Sequence, residues 1–259
     1  MQGLHGGFRL NRRGVATGAS LLALVLGLLA SPSPGQAQPQ APRSRGPLVV
    51  ELFTAQGCES CPQANEMLGQ LAERDRVIAL TFPVDYWDYL GWRDTFAKPE
   101  FSARQRAYVG RLGLKEIYTP EVVVNGRREA PGVDAEEIET LVEGEAARRA
   151  AVRRPSIVLG RGGERVSVGS GSAFRQPADV WLIRYDPVRR EVRVRNGENQ
   201  GETVPHLNVV RELTRLGSWN GRPRSFALPD PTAPGLRGVV VVQGSAGGPI
   251  LSARDIGAQ

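Results

Sequence analysis

Cysteine is nearly missing from this 259-residue chain, which carries only Cys58 and Cys61. One intramolecular disulfide is all it can form, and so short a loop removes little entropy from the unfolded chain. The pair is better explained by chemistry than by stapling. Histidine is as scarce, with only His5 and His206, so there is no histidine pair for zinc and no metal site is expected. A glycine-rich phosphate loop is missing too, and the expected cofactor complement is none. The longest apolar stretch, residues 15–30, is shorter than the roughly 20 residues that a membrane span needs.

What is present is concentrated in residues 48–75. The run Leu48-Val49-Val50-Glu51-Leu52-Phe53-Thr54 reads as a buried strand and leads through Ala55-Gln56-Gly57 into Cys58-Glu59-Ser60-Cys61. Then follow Ala64, Met67, Leu68 and Leu71, an i, i+3, i+4, i+7 stripe that buries one face of a helix. Strand, loop, C-x-x-C and helix form a redox arrangement. A helix starting near Cys58 would stabilise a thiolate there through its free N–H groups and dipole. Cys58 is then the attacking sulfur. Cys61, one turn on and less exposed, is the resolving thiol that attacks a mixed disulfide. The charge of Glu59 disfavours the thiolate and points to a pair that is not strongly oxidising. The alternatives are an inert disulfide or two packed thiols.

Residues 1–37 read as a secretory signal peptide: Arg9, Arg12 and Arg13 with no acid, the apolar stretch, then small residues Gly35 and Ala37. Its removal leaves a net charge of +3 from the full chain's +6, too little to argue for a nucleic-acid partner. The expectation is a secreted protein, periplasmic in a Gram-negative cell, with no stable membrane insertion after cleavage. In that compartment disulfides form and persist, so the expected partners are protein thiols or disulfides together with a redox partner that the sequence does not identify. Residues 38–46, rich in Pro, Gln, Arg and Ser, read as a linker.

After the first helix, residues 77–82 form a second apolar strand, parallel to the first, and residues 101–113 look helical. Thr119-Pro120 precedes the strand Glu121-Val122-Val123-Val124, Asn125-Gly126 supplies a hairpin turn, and Asp134-x-x-Glu137 caps a third helix. The order is βαβαββα. With the C-x-x-C and the Thr-Pro, it resembles the thioredoxin fold over residues 47–153. More narrowly, the stretches from Glu51 to Cys58, Val84-Asp85-Tyr86-Trp87-Asp88-Tyr89-Leu90-Gly91-Trp92, and Tyr118 to Gly126 resemble a bacterial family of secreted thioredoxin-like proteins of unknown function. Glu59 and Pro83 depart from that family's pattern, which often has serines within the C-x-x-C and a His before Val-Asp-Tyr-Trp-Asp.

The resemblance implies that Pro120 is a cis-proline beside the cysteines and that the backbone of Thr119 pairs with an extended substrate. It also implies a proton-transfer role for Glu51, an acid inside an apolar strand where burial would raise its pKa; the alternative is a solvent-facing strand glutamate. Asp85 and Trp87 follow the second parallel strand, on the same side of the sheet as the cysteines, and are candidate substrate contacts. The alternative is an aromatic lid with the aspartates capping turns.

From residue 154 the pattern changes to short strands and turns: 157–159, 165–168, 180–183, Val192-x-Val194 and 239–242, punctuated by Gly-Gly, Asp-Pro and Asn-Gly. The expectation is therefore an α/β thioredoxin-like domain over 47–153, followed by a separate all-β antiparallel, sandwich-like domain over 154–259. Three readings stand: a thiol-disulfide oxidoreductase, a Cu(I)-handling protein built on the two thiolates, and a binding module with an inert disulfide.

Overall fold

The computed structural model describes residues 46–150, 154–171 and 177–258. The expected signal peptide, and all but the last residue of the expected linker, lie outside the described residues. The apolar run forms β1 (Leu48–Thr54), buried along its whole length. Its side chains alternate: Leu48, Val50 and Leu52 join one core cluster, Val49 and Phe53 another. α1 (Cys61–Ala72) crosses to β2 (Val77–Pro83), which runs parallel to β1 from Leu48 opposite Val77 to Thr54 opposite Pro83. After α2 (Pro99–Leu112), β3 (Glu121–Val124) lies antiparallel on the other side of β1, and β4 (Arg128–Pro131) follows. Asn125 and Gly126 turn that hairpin with φ of 56° and 61°, the left-handed conformation that its geometry needs. α3 (Ala135–Ala150) starts where Asp134 accepts the N–H of Glu137 at 2.9 Å.

α1 and α3 bury Ala64, Leu68, Leu71, Ile138 and Val142 on the face presented by Leu48, Val50 and Leu52. α2 covers the opposite face with Phe101 and Tyr108. Fully burying a Leu- or Phe-sized side chain stabilises by about 1.5–3 kcal/mol, so these two clusters fix which face each helix takes.

The remaining strands are β5 (Ile157–Leu159), β6 (Arg165–Val168), β7 (Ala178–Asp186), β8 (Arg190–Arg193), β9 (Thr203–His206), β10 (Val209–Trp219), β11 (Arg224–Ala227), β12 (Arg237–Gly244) and β13 (Ile250–Ala258). The expected boundary at 153/154 does not divide the structure: one eight-stranded sheet runs β13-β12-β7-β10-β2-β1-β3-β4. The seam is β10 against β2. Val209 pairs in parallel with Thr81, whose N–H donates to Asn208 O at 3.0 Å, while Asn208 Nδ2 donates to Ala79 O at 2.9 Å. The physical reason is that β2 would otherwise leave an unpaired apolar edge.

The sheet also curls around α2. Its β3–β4 turn meets the start of β13, where Ile250 N–H donates to Asn125 O at 2.9 Å and Asn125 Nδ2 donates to Ile250 O at 3.2 Å. β7 and β12 put Ile183, Val239 and Val241 toward α2 and Val180, Leu182, Val240 and Val242 toward a small sheet, β11-β6-β5. Sheet-on-sheet packing is thus present, but it is built on an extension of the first sheet. Among the described residues no helix is long and apolar enough to cross a membrane.

Candidate functional site

Cys58 and Cys61 stand at disulfide distance, with their Cα atoms 5.4 Å apart. α1 begins at Cys61 with Ser60 as its N-cap, so Cys58 lies in the loop before the helix and not in its first turn. Pro62 fits that start, where a missing N–H costs nothing. The exposure expected of Cys58 is absent: it is 2% exposed and Cys61 is fully buried. Cys61 Sγ lies 3.4 Å from Thr119 Oγ1, which donates to Phe53 O at 3.1 Å. The bond between Thr119 and Pro120 is cis. Thr119 and Pro120 are therefore brought to the cysteines.

Residues 85–97 wrap the loop on another side. Gln56 is the anchor: its N–H donates to Asp94 Oδ2 at 2.8 Å, and its Oε1 accepts from Trp92 Nε1 at 2.9 Å and from Thr95 N–H at 3.2 Å. Burial pushes the Asp94 carboxyl up to about 6, although three backbone N–H groups partly oppose this. Trp87 packs against Gly57, where an added Cβ would lie 3.4 Å from its ring. Asp85 instead faces α2 and accepts from the Ser102 hydroxyl. Trp87 is thus at the cysteine loop and Asp85 anchors a helix.

Glu51 is fully buried on the α2 face of β1, opposite the face that carries α1. Arg104 Nη2 and Nε donate to its Oε1 at 2.6 and 2.9 Å, and the Tyr108 hydroxyl donates to its Oε2. Arg104 sits over the rings of Phe82 and Tyr108 at 5.5 and 5.6 Å. Bonded on both oxygens, on one of them by a buried guanidinium, Glu51 belongs to a core ion pair. The sequence shows an acid in a strand; its partner, one helix away, carries no local signal.

A second buried acid, Glu121, opens β3 directly after Pro120 and was not singled out by sequence pattern. Burial pushes its carboxyl up to about 7, partly opposed by Gln105 and reinforced by Glu129 and Glu51. Gln105 Nε2 donates both to Glu121 Oε2 at 2.6 Å and to Tyr118 O at 2.7 Å. Glu121 Oε1 is buried there without a hydrogen-bond partner, and the Gln105 side chain also lies close enough to the buried Tyr86 hydroxyl to oppose the rise in its pKa that burial causes.

The third wall comes from the β8–β9 hairpin, whose loop, residues 194–202, rests on the cysteine loop. Asn199, itself buried, donates through Nδ2 to Gln56 O at 2.9 Å and to Cys58 O at 2.6 Å. Glu198 N–H donates to Gly57 O at 3.2 Å, and Glu198 Oε2 accepts the N–H of Glu59 at 2.9 Å. Asn65 of α1 ties the base of the hairpin, donating to Pro205 O at 2.8 Å. His206 is buried at the end of β9 with Nδ1 against Val204 O, and burial lowers its pKa to about 4. Among the described residues no three His, Cys, Asp or Glu side chains converge as metal ligands would.

Comparison with curated proteins yields no match. Among solved structures, a protein from Agrobacterium tumefaciens is 30% identical over 80% of this chain and 92% of its own, with a TM-score of 0.65. HBP35 of Porphyromonas gingivalis is similar in fold alone, at 14% identity over 82% of this chain and 75% of its own, with a TM-score of 0.53. A family model described as "Protein of unknown function (DUF1223)" matches residues 49–243. That span runs from β1 through β12 and takes in both cysteines, the Thr119-Pro120 turn and the hairpin over them, so the chain belongs to the DUF1223 family.

Proposed function

We propose that this protein is an exported, thioredoxin-like thiol-disulfide oxidoreductase that exchanges disulfides with protein thiols through Cys58 and Cys61. The observation that carries the reading is the Cys58–Cys61 pair at disulfide distance at the start of α1, with Cys61 Sγ against Thr119 Oγ1. A strand order β2-β1-β3-β4, with α1 and α3 on one face and α2 on the other, supports the thioredoxin-like fold. Export rests on the residue pattern of 1–37.

In the forward direction the Cys58 thiolate attacks a substrate disulfide and forms a mixed disulfide, and one substrate sulfur leaves as a thiolate that takes a proton. Cys61, on losing its proton, attacks Cys58 Sγ, and the second substrate thiol departs. The substrate gains two electrons and two protons, and the protein pair closes. The same steps run backwards for a substrate dithiol.

A second reading, a binding module with an inert disulfide, is favoured by one observation, the burial of Cys58. The copper reading has less support, because Met67 packs toward the core and His206 is bonded to its own strand. Equilibration with glutathione buffers, followed by alkylation and mass measurement, separates the first two. A midpoint above about −300 mV, with exchange onto a protein disulfide, supports the oxidoreductase. A pair that stays oxidised below that potential in the folded protein overturns it.

A further inference from the structure

The backbone of the cysteine loop is bonded by a chain segment that behaves as an extended ligand would. Gln56 O, Gly57 O, Glu59 N–H and Cys58 O, which also accepts the Cys61 N–H at 3.1 Å, are backbone groups of the cysteine loop that a docking polypeptide could use. All four are taken by two consecutive residues of the 194–202 loop, Glu198 and Asn199. Glu198 supplies a backbone donor and a carboxylate acceptor; Asn199 supplies an amide bonded to two carbonyls at once. Gly197 turns the loop onto Gly57 with a φ of 84°, a left-handed conformation that favours glycine. Asn196 fastens the side of the loop by donating to Gly91 O at 3.2 Å.

The contrast in burial is informative. Glu198 and its neighbours at 195, 196 and 200 are exposed, while Asn199 is buried. One buried side chain, with the exposed Glu198 and Asn196 beside it, therefore anchors an otherwise solvent-facing loop. Val194 and Val204 are buried at its base, so the hairpin stem is fixed and the tip is the part free to lift. Segments of this kind, with few apolar contacts and exposed backbone bonds, open at lower free energy than the core.

We propose that residues 194–202 are a specificity-determining cap that occupies the polypeptide-docking edge of the cysteine loop, with Asn199 and Glu198 as its positioning residues. The proposal rests on the oxidoreductase reading and names the substrate class for it: a cysteine-bearing extended protein segment able to replace the cap on Gln56 O, Gly57 O, Cys58 O and Glu59 N–H. A thiolate RS⁻ reaches Cys58 Sγ only when the cap is displaced. The S–S bond then breaks, Cys61 leaves as a thiolate and takes a proton, and a second RS⁻ releases RSSR and the protein dithiol. Any thiol that cannot compete for those backbone groups has to wait for spontaneous opening.

The test uses the oxidised protein without residues 1–37 and three variants, Asn199→Ala, Glu198→Ala and Glu198→Gln. Two readouts are taken: the second-order rate of Cys58–Cys61 reduction by dithiothreitol and by an unstructured cysteine peptide, and hydrogen exchange at the Glu59 amide and in β1. Asn199→Ala removes two hydrogen bonds and should speed reduction by dithiothreitol about thirtyfold, at roughly 1 kcal/mol per bond. Glu198→Ala should speed it about fivefold, and Glu198→Gln, which keeps an acceptor, should leave it within twofold. Glu59 should lose protection in the first two variants while β1 keeps its own. The peptide should gain less than dithiothreitol from either change, because it already competes for the docking edge. If Asn199→Ala fails to fold, the two Glu198 variants decide. An unchanged dithiothreitol rate alongside lost Glu59 protection overturns the cap. Failure of the oxidoreductase reading looks different: fast reduction in the variants with no exchange onto any protein disulfide.

Discussion

Glu121→Gln should make the protein more stable at pH 8 and leave it unchanged at pH 4.5. Burial raises the carboxyl from its ordinary 4.5 to about 7, so the folded chain binds more protons than the unfolded chain between those values. Stability then falls as pH rises through that window. At 1.36 kcal/mol for each pH unit, ionising Glu121 costs about 3 kcal/mol once pH exceeds 7. An amide carries no charge to desolvate. Its oxygen still accepts from Gln105 Nε2.

The wild-type pH profile alone would hide this effect. His206, lowered from 6.5 to about 4, adds a slope of opposite sign: its unfolded state binds the extra proton, so stability is lost as pH falls from 6.5 towards 4. Glu121 and His206 nearly offset between pH 4.5 and 6.5, and Asp94, raised to about 6, overlays a slope of the same sign as Glu121. The difference between variant and wild type isolates Glu121. Urea unfolding of both oxidised proteins at pH 4.5, 6 and 8 measures it; with an m-value of about 3 kcal/mol/M, the midpoint should rise by about 1 M at pH 8. An equal difference at all three pH values, or a less stable variant at pH 8, would refute the reasoning.

Arg104→Met should destabilise by about 3–5 kcal/mol in urea unfolding, because it leaves the fully buried Glu51 without its counter-charge, and adding Glu51→Gln should recover part of the loss. In the reduced protein, iodoacetamide followed by peptide mapping should modify Cys58 before Cys61, since Cys61 is enclosed at the helix start beneath Thr119; the opposite order would reverse the roles of the two thiols. A chain ending at residue 153 should fail to give a cooperative thermal transition by circular dichroism, because it lacks β10 along the edge of β2 and the β7, β12 and β13 residues that pack on α2.

Much of the first half was legible in sequence because its signals are local. The apolar run of β1, the helical stripe behind Cys61, Asn125-Gly126 and the Asp134 cap each occupy a few consecutive residues, and each forms the expected element. β10 was not legible. It places Arg211, Glu212 and Arg215 among Val209, Val210 and Leu213, and two bulges, between Val210 and Glu212 and between Arg215 and Gly217, shift the face on which side chains fall. Without that strand the chain divides naturally at 153. The cap was illegible for a different reason. Asn196-Gly197-Glu198-Asn199 is ordinary turn composition, and only the folded chain shows that the turn ends on carbonyls about 140 residues earlier in sequence.

That separation also sets an order of events in time. Chains appear from the N-terminus at about 5–20 residues per second, so Asn199 is made roughly 7–28 s after Cys61. During that interval the cysteine loop exists without the residues that will cover it, and an oxidant can reach both sulfurs on the growing or newly delivered chain. Once the β8–β9 hairpin has been made and seated, Asn199 holds the carbonyls of Gln56 and Cys58. With the cap acting as proposed, the electron state of the pair in a freshly made molecule would be written by the surroundings it meets first, and the later-made part of the chain would preserve that record.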